Sequence, residues 1–174
     1  SDISQKGMPN SNYCAPCAVA NLLSQFEHRG KLPARSTSEQ LALRLGDSDH
    51  METLDRNGTN RFRLVNGLHR WLDENAPGKK LQVEYTGLRL YDKSKLDPSL
   101  RENVIAQIGT PRVEHIARAL SQGKGVAILF GSYRVDTATG TLIRLGGHYV
   151  AVVGIEINAN GTTVVLHDSN DGLT

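Results

Sequence analysis

The sequence predicts an α+β domain, with helices in the first two-thirds of the chain and a β-sheet in the last third. Three observations support this prediction. Several stretches before Ser121 carry apolar residues at three- and four-residue spacing, which is typical of helices with one buried face. From Val126 onwards, short apolar or alternating runs are typical of strands. The segments between these runs are short and rich in turn residues, so the strands are predicted to pair antiparallel.

Length and composition predict one soluble domain over residues 1–174. The chain is 39% hydrophobic and 22% charged, and its net charge of +2 is too balanced to indicate a nucleic-acid-binding protein. No apolar run approaches the roughly 18 residues that a membrane span needs. No signal peptide is recognisable at Ser1, although a secreted mature form would look the same. The compartment and the oligomeric state are therefore left open.

The stretch Asn12–Leu23 predicts a tight turn that leads directly into a helix, with Cys14 at the start of that helix. Pro16 fits only the first helical turn, because proline lacks the N–H that a helix interior must donate. The apolar residues of this helix fall on one face: Ala18, Val19, Leu22, Leu23 and Phe26. The positive end of the helix dipole favours a thiolate, so we expect a lowered pKa and a nucleophilic sulfur at Cys14.

Cys14 and Cys17 are the only cysteines, and their C-x-x-C spacing has three competing interpretations. A redox pair normally follows a strand, and no strand is predicted before Cys14. A zinc site needs two further ligands at suitable spacing, which the sequence does not offer. A free cysteine is often a small buried hydrophobe, and this is our interpretation of Cys17. We predict neither a metal nor another cofactor.

Two helices are predicted between the first helix, which ends at Gly30, and residue 78. A capping box at Ser36–Glu39 begins a short helix that ends at Gly46. A longer amphipathic helix begins near Thr59 and ends at Ala76–Gly78, with His69 on its surface.

The next segments are less regular. Residues 81–90 alternate between apolar and polar, which predicts a strand or a hairpin. Residues 92–108 are ambiguous and allow a helix after Pro98. Taken as a whole, residues 31–107 are predicted to be mostly helical.

The last third begins with a helix, predicted to be capped by Thr110 with Pro111 in its first position and to end before Gly123. Four strands follow: Val126–Tyr133, Leu142–Leu145, His148–Ile157 and Thr162–His167. Turn-rich segments separate them, including Gly146–Gly147 between the second and third strands.

His148 is the one histidine of six that opens a strand apolar enough to be central and buried. Asp168 directly follows the next strand. Two antiparallel strands joined by a short turn bring the start of one near the end of the other, so these two side chains should be neighbours. A carboxylate bound to one imidazole nitrogen leaves the other to take a proton from a thiol. With Cys14, this pattern indicates nucleophilic acyl-transfer chemistry.

Four segments resemble papain-like cysteine peptidases, especially the double-glycine (bacteriocin-leader) peptidase-like families: Tyr13–Leu23, Ile116–Leu129, Gly147–Gly154 and Val164–Asp168. The resemblance implies a papain-like fold, in which an N-terminal nucleophile helix and a helical segment pack on a C-terminal antiparallel sheet. It also implies Cys14 as the nucleophile, His148 as the general base and Asp168 as the residue that orients it. Residues 31–107 lie outside the resemblance and are interpreted as a family-divergent insert.

The chain departs from the family pattern at three positions. The glycine that follows the nucleophile in the family is Ala15 here, a mild change. The glutamine that the family places before the cysteine, to help hold the oxyanion, is replaced by Met8. Gln5 and Asn10 are the candidates to take over that role, with the Cys14 backbone N–H as the other donor. The proline that often follows the aspartate is Ser169 here, and Asn170 is the second candidate for the orienting residue.

These residues predict a cysteine hydrolase, in the first place a peptidase, which cleaves a peptide or protein substrate through a thioester. A thiol of ordinary pKa at Cys14 would argue against it. One alternative is a catalytically degenerate binding module, which the replaced glutamine favours. Another is an acyltransferase or transglutaminase-like enzyme, in which an amine resolves the thioester. The Gly-Gly leader specificity of the double-glycine peptidases is not carried over to this chain.

Overall fold

A computed structural model describes residues 8, 12–33, 37–53, 58–159 and 161–169, and it confirms the α+β class. The helices are α1 (Cys14–His28), α2 (Ser38–Leu45), α3 (Arg61–Asn75) and α4 (Val113–Ser121). The strands are β1 (Val83–Gly87), β2 (Val104–Ile108), β3 (Val126–Val135), β4 (Leu142–Asn158) and β5 (Gly161–His167). No described helix is both long enough and apolar enough to cross a bilayer.

Helix α1 is buried on most sides, as expected from its small and apolar residues. The Cys17 N–H donates to the Tyr13 carbonyl at 3.0 Å, which closes the first turn around Pro16. The helix ends where predicted, with Gly30 in the left-handed region at φ 67°. Its buried side chains form the main core with α2, α3 and the turn after α2; the members include Cys17, Leu23, Leu45, Met51 and Trp71.

The caps of α2 and α3 place both helices close to their predicted positions. The capping box of α2 pairs Thr37 with Gln40, one residue later than the predicted Ser36–Glu39 pair. Each side chain accepts the other's backbone N–H at 3.3 Å. Helix α3 begins after Asn60, whose side-chain oxygen accepts the N–H groups of Phe62 and Arg63.

The middle of the chain contains two strands in addition to its helices. Strand β1 confirms the strand predicted in this region, but it pairs in parallel with β2, so the alternative of a hairpin is wrong and Leu88–Leu90 form no second strand. The connection between them contains two short 3₁₀ helices, Lys93–Lys95 and Pro98–Asn103. A second core explains this arrangement, because it buries Tyr91, Leu96, Leu100 and Val104 against Val65 of α3.

Helix α4 begins two residues later than predicted. Arg112 is its N-cap and has extended backbone angles, φ −126° and ψ 155°, so Pro111 lies outside the helix. Thr110 therefore does not cap α4, and this prediction is wrong.

The C-terminal sheet has the strand order β3-β4-β5 and is antiparallel throughout. Strand β4 runs unbroken through Gly146–Gly147, where a turn between two strands was predicted. The absence of a side chain at Gly147 explains the continuity, since a Cβ there would lie 2.8 Å from the Arg144 side chain and 3.2 Å from Leu129. On the side facing α1, Tyr149 and Ala151 pack against Ala15 and Ala18. This contact joins the first helix to the central strand.

Candidate active site

Cys14 is the first residue of α1 and is half-buried where that helix meets β4. Its side chain packs against a small apolar cluster that contains Ala15, Ala18, Tyr149 and Ala151. The helix start therefore lies beside the part of β4 that directly follows His148. Cys14 and His148, from opposite ends of the chain, are therefore carried by two elements that pack against each other.

His148 and Asp168 are brought together by the register of the sheet. Ala151 of β4 pairs with His167 of β5, so Asp168 lies just past the end of β5, near the His148 side chain. The Nε2 of His148 lies 2.5 Å from Asp168 Oδ1, and the two side chains are 14% and 19% exposed. An ionised carboxylate accepts from Nε2–H, which leaves Nδ1 as the basic nitrogen of the neutral ring.

The electrostatics of Cys14 differ from the sequence prediction. Burial raises the pKa of the Cys14 thiol, and the charge of Asp168 raises it further. Hydrogen bonding from the backbone N–H groups of Tyr149, Ala15 and Cys14 lowers the pKa, but this effect is smaller than that of burial. The predicted lowering of the Cys14 pKa is therefore wrong for this resting state. Desolvation of the half-buried sulfur outweighs the field of the helix N-terminus, so the neutral thiol is favoured.

Cys17 lies one turn further along α1 and is completely buried in the main core. Burial, with a smaller effect of the neighbouring Cys14, raises its pKa to about 12. Both cysteines are free thiols. These surroundings match the interpretation of Cys17 as a small buried hydrophobe.

Phe130 is a neighbour of the site that the sequence reasoning missed. It pairs with His148 across β3 and β4, and its ring meets the imidazole edge-on, with centroids 5.3 Å apart and planes at 74°. An aromatic contact of this kind restrains the orientation of the imidazole. The register next to the turn at 137–140 would place Leu129 opposite His148, and the shift between Ser132 and Tyr133 places Phe130 there instead. The turn alone therefore could not have identified Phe130.

The predicted oxyanion residues lie outside the structural description. Gln5, Asn10 and the second orienting candidate Asn170 are all outside the described residues. Met8, which stands in place of the expected glutamine, packs partly buried against the main core. The position therefore contributes an apolar contact. Ser169 is buried next to Asp168.

Comparison with known proteins gives one clear result. No curated protein and no solved structure matches the chain significantly. The model of the Peptidase_C39-like family matches residues 2–173, which includes residues 31–107 as well as the four segments on which the resemblance rested. This confirms the predicted relationship to papain-like cysteine peptidases of the double-glycine kind. The chain belongs to the Peptidase_C39-like family, whose members are related to cysteine peptidases.

Proposed function

We propose that this domain is a cysteine hydrolase that cleaves a peptide or amide bond in a peptide or protein substrate. Cys14 is the nucleophile, His148 the general base and Asp168 the residue that orients the imidazole. The contact between His148 Nε2 and Asp168, next to the strand residues that pack on Cys14, is the observation that carries the proposal. Membership of the Peptidase_C39-like family supports the same chemistry.

The proposed reaction begins with the neutral thiol. As the sulfur attacks the substrate carbonyl carbon and a C–S bond forms, the thiol proton moves to Nδ1 of His148. The carboxylate of Asp168 stabilises the resulting imidazolium through Nε2–H. Collapse of the tetrahedral intermediate breaks the C–N bond, and the imidazolium gives its proton to the leaving amine. Water then attacks the thioester while His148 takes one of its protons, which releases the carboxylic acid and restores the thiol.

Because the pKa of the Cys14 thiol is raised, His148 has to accept the thiol proton and does not merely stabilise a thiolate that already exists. Because the resting sulfur keeps its proton, proton transfer belongs to the attack itself. The backbone N–H of Cys14 is proposed as one donor for the oxyanion, and Gln5 or Asn10 is proposed to supply the second donor. Without a second donor, the rate would fall on the order of a hundredfold.

The same raised pKa favours a second candidate function. A binding module that keeps the fold, but not the turnover, has no need for an activated thiol. It would bind a peptide or partner protein through the same surface, and replacement of Cys14 would leave that binding unchanged.

Digestion of a peptide library separates the two functions. The wild-type domain, Cys14→Ser and His148→Ala would each be incubated with peptides from a whole-cell digest, and new peptide termini would be identified by mass spectrometry. We expect new termini with the wild type alone. Cleavage by Cys14→Ser at the wild-type rate would contradict the nucleophile assignment. If no variant and no wild-type sample cleaves, while library peptides are retained equally by wild type and Cys14→Ser, the binding module is the correct function.

A further inference from the structure

Two buried polar atoms, one of them on a residue that packs beside Cys14, have no hydrogen-bond partner among the described residues. They are the hydroxyl of Tyr149 and the Nε of Arg61. Buried polar groups are almost always paired in folded proteins, so two unpaired groups in one region need an explanation.

Contacts place Tyr149 beside Cys14, and Arg61 lies on the helix whose Leu64 packs against the same cluster. Tyr149 is only 6% exposed and packs in the cluster that includes Cys14. Arg61 is the first residue of α3. Leu64, one turn later, packs both against the small apolar cluster that contains Tyr149 and against the second core, which contains Tyr91. Burial raises the pKa of Tyr149, and the positive charge of Arg61 partly offsets this rise. The hydroxyl thus lies within electrostatic reach of the guanidinium.

The surroundings of Arg61 differ from those of other arginines in α2 and α3. Arg44, Arg63 and Arg70 each have an acidic partner. Within the described part of the chain, no carboxylate forms an ion pair with Arg61. Its guanidinium carbon lies 4.9–5.6 Å from three aromatic ring centroids, those of Phe62, Tyr85 and Tyr91. Its Nη2 donates to the Leu90 carbonyl at 2.9 Å.

We propose that Arg61 and Tyr149 form a recognition subsite that binds a carboxylate of the substrate, the side chain of a glutamate or an aspartate, close to the bond attacked by Cys14. This proposal rests on the proposed function and names its substrate class. Arg61 Nε–H can only donate and the Tyr149 hydroxyl can donate, so the matching ligand atom is an acceptor. The unbalanced charge of Arg61 favours an anion, and the planar guanidinium fits a planar carboxylate.

The subsite is closed in this structure, since both unpaired atoms are shielded from solvent. A ligand reaches them when the Arg61 side chain moves, and the bond that it would release is the one from Nη2 to the Leu90 carbonyl. Leu88 and Leu90 are 75% and 71% exposed, so little packing opposes a movement of their segment. The rival occupant is a buried water molecule that bridges the two polar groups.

Matched alkylating peptides test the subsite without requiring turnover. The probes are bromoacetylated dipeptide amides that carry glutamate, or glutamine in its place, at the first or second position. Their rates of reaction with Cys14 would be measured by mass spectrometry on wild type, Arg61→Gln, Tyr149→Phe and the control Arg63→Gln. Arg63 lies on the same helix but pairs with Glu52, so the control removes a charge of the same sign.

We expect the wild type to react faster with the glutamate probe than with the glutamine probe at one position. In Arg61→Gln, the ratio of these two rates should fall by about tenfold or more. Arg63→Gln should retain it. Tyr149→Phe should lose part of the preference without a loss of thermal stability, because it deletes a hydroxyl that has no partner. If Arg61→Gln does not fold, the preference of the wild type for the glutamate probe and its partial loss in Tyr149→Phe test the subsite without it.

Several results would overturn the proposal. One is equal rates for the glutamate and glutamine probes in the wild type. Another is an equal effect of Arg61→Gln and Arg63→Gln on the ratio of these rates. The third is a Tyr149→Phe variant that loses stability but keeps the preference for glutamate, as expected for a bridging water. If Cys14 reacts with no probe, the proposed function fails instead. Calorimetric binding of the corresponding N-acetyl dipeptide amides to Cys14→Ala then tests the subsite separately, and it requires tighter binding of the glutamate peptide.

Discussion

The helical part of the molecule and its C-terminal sheet are packed very differently. In the helical core, Cys17, Ala42, Leu45 and Met51 are completely buried. In the sheet, β4 has a buried centre, but β3 exposes large apolar side chains, among them Leu129, Phe130 and Tyr133. Cys14 is thus carried by a helix of the densely packed part and lies at its border with β4, whereas His148 and Asp168 belong to a sheet with far less cover. We infer that substitutions in the core will change stability, and that substitutions around His148 will change reactivity.

The largest expected effect comes from a cavity in the helical core. Leu45→Ala removes a fully buried side chain, and we expect it to lower the free energy of unfolding by about 2–5 kcal/mol. The matched substitution in the sheet is Leu145→Ala, at a position that is 60% exposed, and we expect a change within about 0.5 kcal/mol. Urea denaturation of both variants checks the difference. Equal losses would contradict the contrast between the two regions.

The second prediction concerns the pH dependence of stability through Cys17. The folded pKa of about 12 lies above the ordinary value of 9.0, so the thiol contributes stability below pH 9, and that contribution is lost as pH rises towards 12. Over this window the slope should approach about 1.4 kcal/mol per pH unit. Other groups also titrate in this range. The measurement is therefore the difference in free energy of unfolding between wild type and Cys17→Ala, followed from about pH 8 to about pH 10.5, a range that begins below the pKa of a free thiol and ends above it. Parallel curves would show that Cys17 ionises as easily folded as unfolded.

The third prediction, with a smaller effect, is that a substitution of Gly46 in the helical core changes the reactivity of Cys14. A Cβ at Gly46 would lie 2.4 Å from the ring of Tyr13, the residue before Cys14. We expect Gly46→Ala to cost about 1–3 kcal/mol and to slow the labelling of Cys14, because Tyr13 must shift. Gly109→Ala is the control, since a Cβ there meets nothing within 4 Å. A Gly46→Ala variant as stable as its control would show that Tyr13 adjusts freely.

The smallest expected effect on stability is at Phe130. Its ring is 43% exposed, so Phe130→Ala should change the free energy of unfolding by no more than about 1 kcal/mol. The edge contact with His148 should nevertheless matter for reactivity, and we expect a two- to tenfold slower reaction of Cys14, the equivalent of about 0.5–1.5 kcal/mol. Phe130→Leu should restore less than half of the loss, since it fills space but has no ring edge. An unchanged labelling rate would remove Phe130 from the site.

The features that local sequence determines were predicted well. The end of α1 at a left-handed Gly30 follows from glycine chemistry within a few residues. The antiparallel sheet follows from short turns between apolar runs, and the approach of His148 to Asp168 follows from that sheet. Periodicity and turn chemistry are sufficient at these places because neighbouring residues set the outcome.

The features that the sequence did not predict depend on distant contacts. The parallel pairing of β1 with β2 depends on a core that Leu96 and Leu100 build with α3. The pKa of Cys14 depends on burial against β4, which is far away in the chain, and reasoning from the helix dipole alone omits this burial. No sequence pattern predicts that the polar atoms of Arg61 and Tyr149 are buried without a partner, because this depends on the packing of distant segments.

The central claim is that His148 acts as the base for Cys14. The most direct test is the rate of iodoacetamide labelling against pH, with mass spectrometry to separate Cys14 from Cys17, on wild type and His148→Ala. We expect labelling at Cys14 in preference to Cys17, a rate that keeps rising above pH 9 because the pKa of the Cys14 thiol is raised, and at least tenfold slower labelling at neutral pH in His148→Ala. Equal rates in the two proteins would contradict the claim and leave the binding module as the function of this domain.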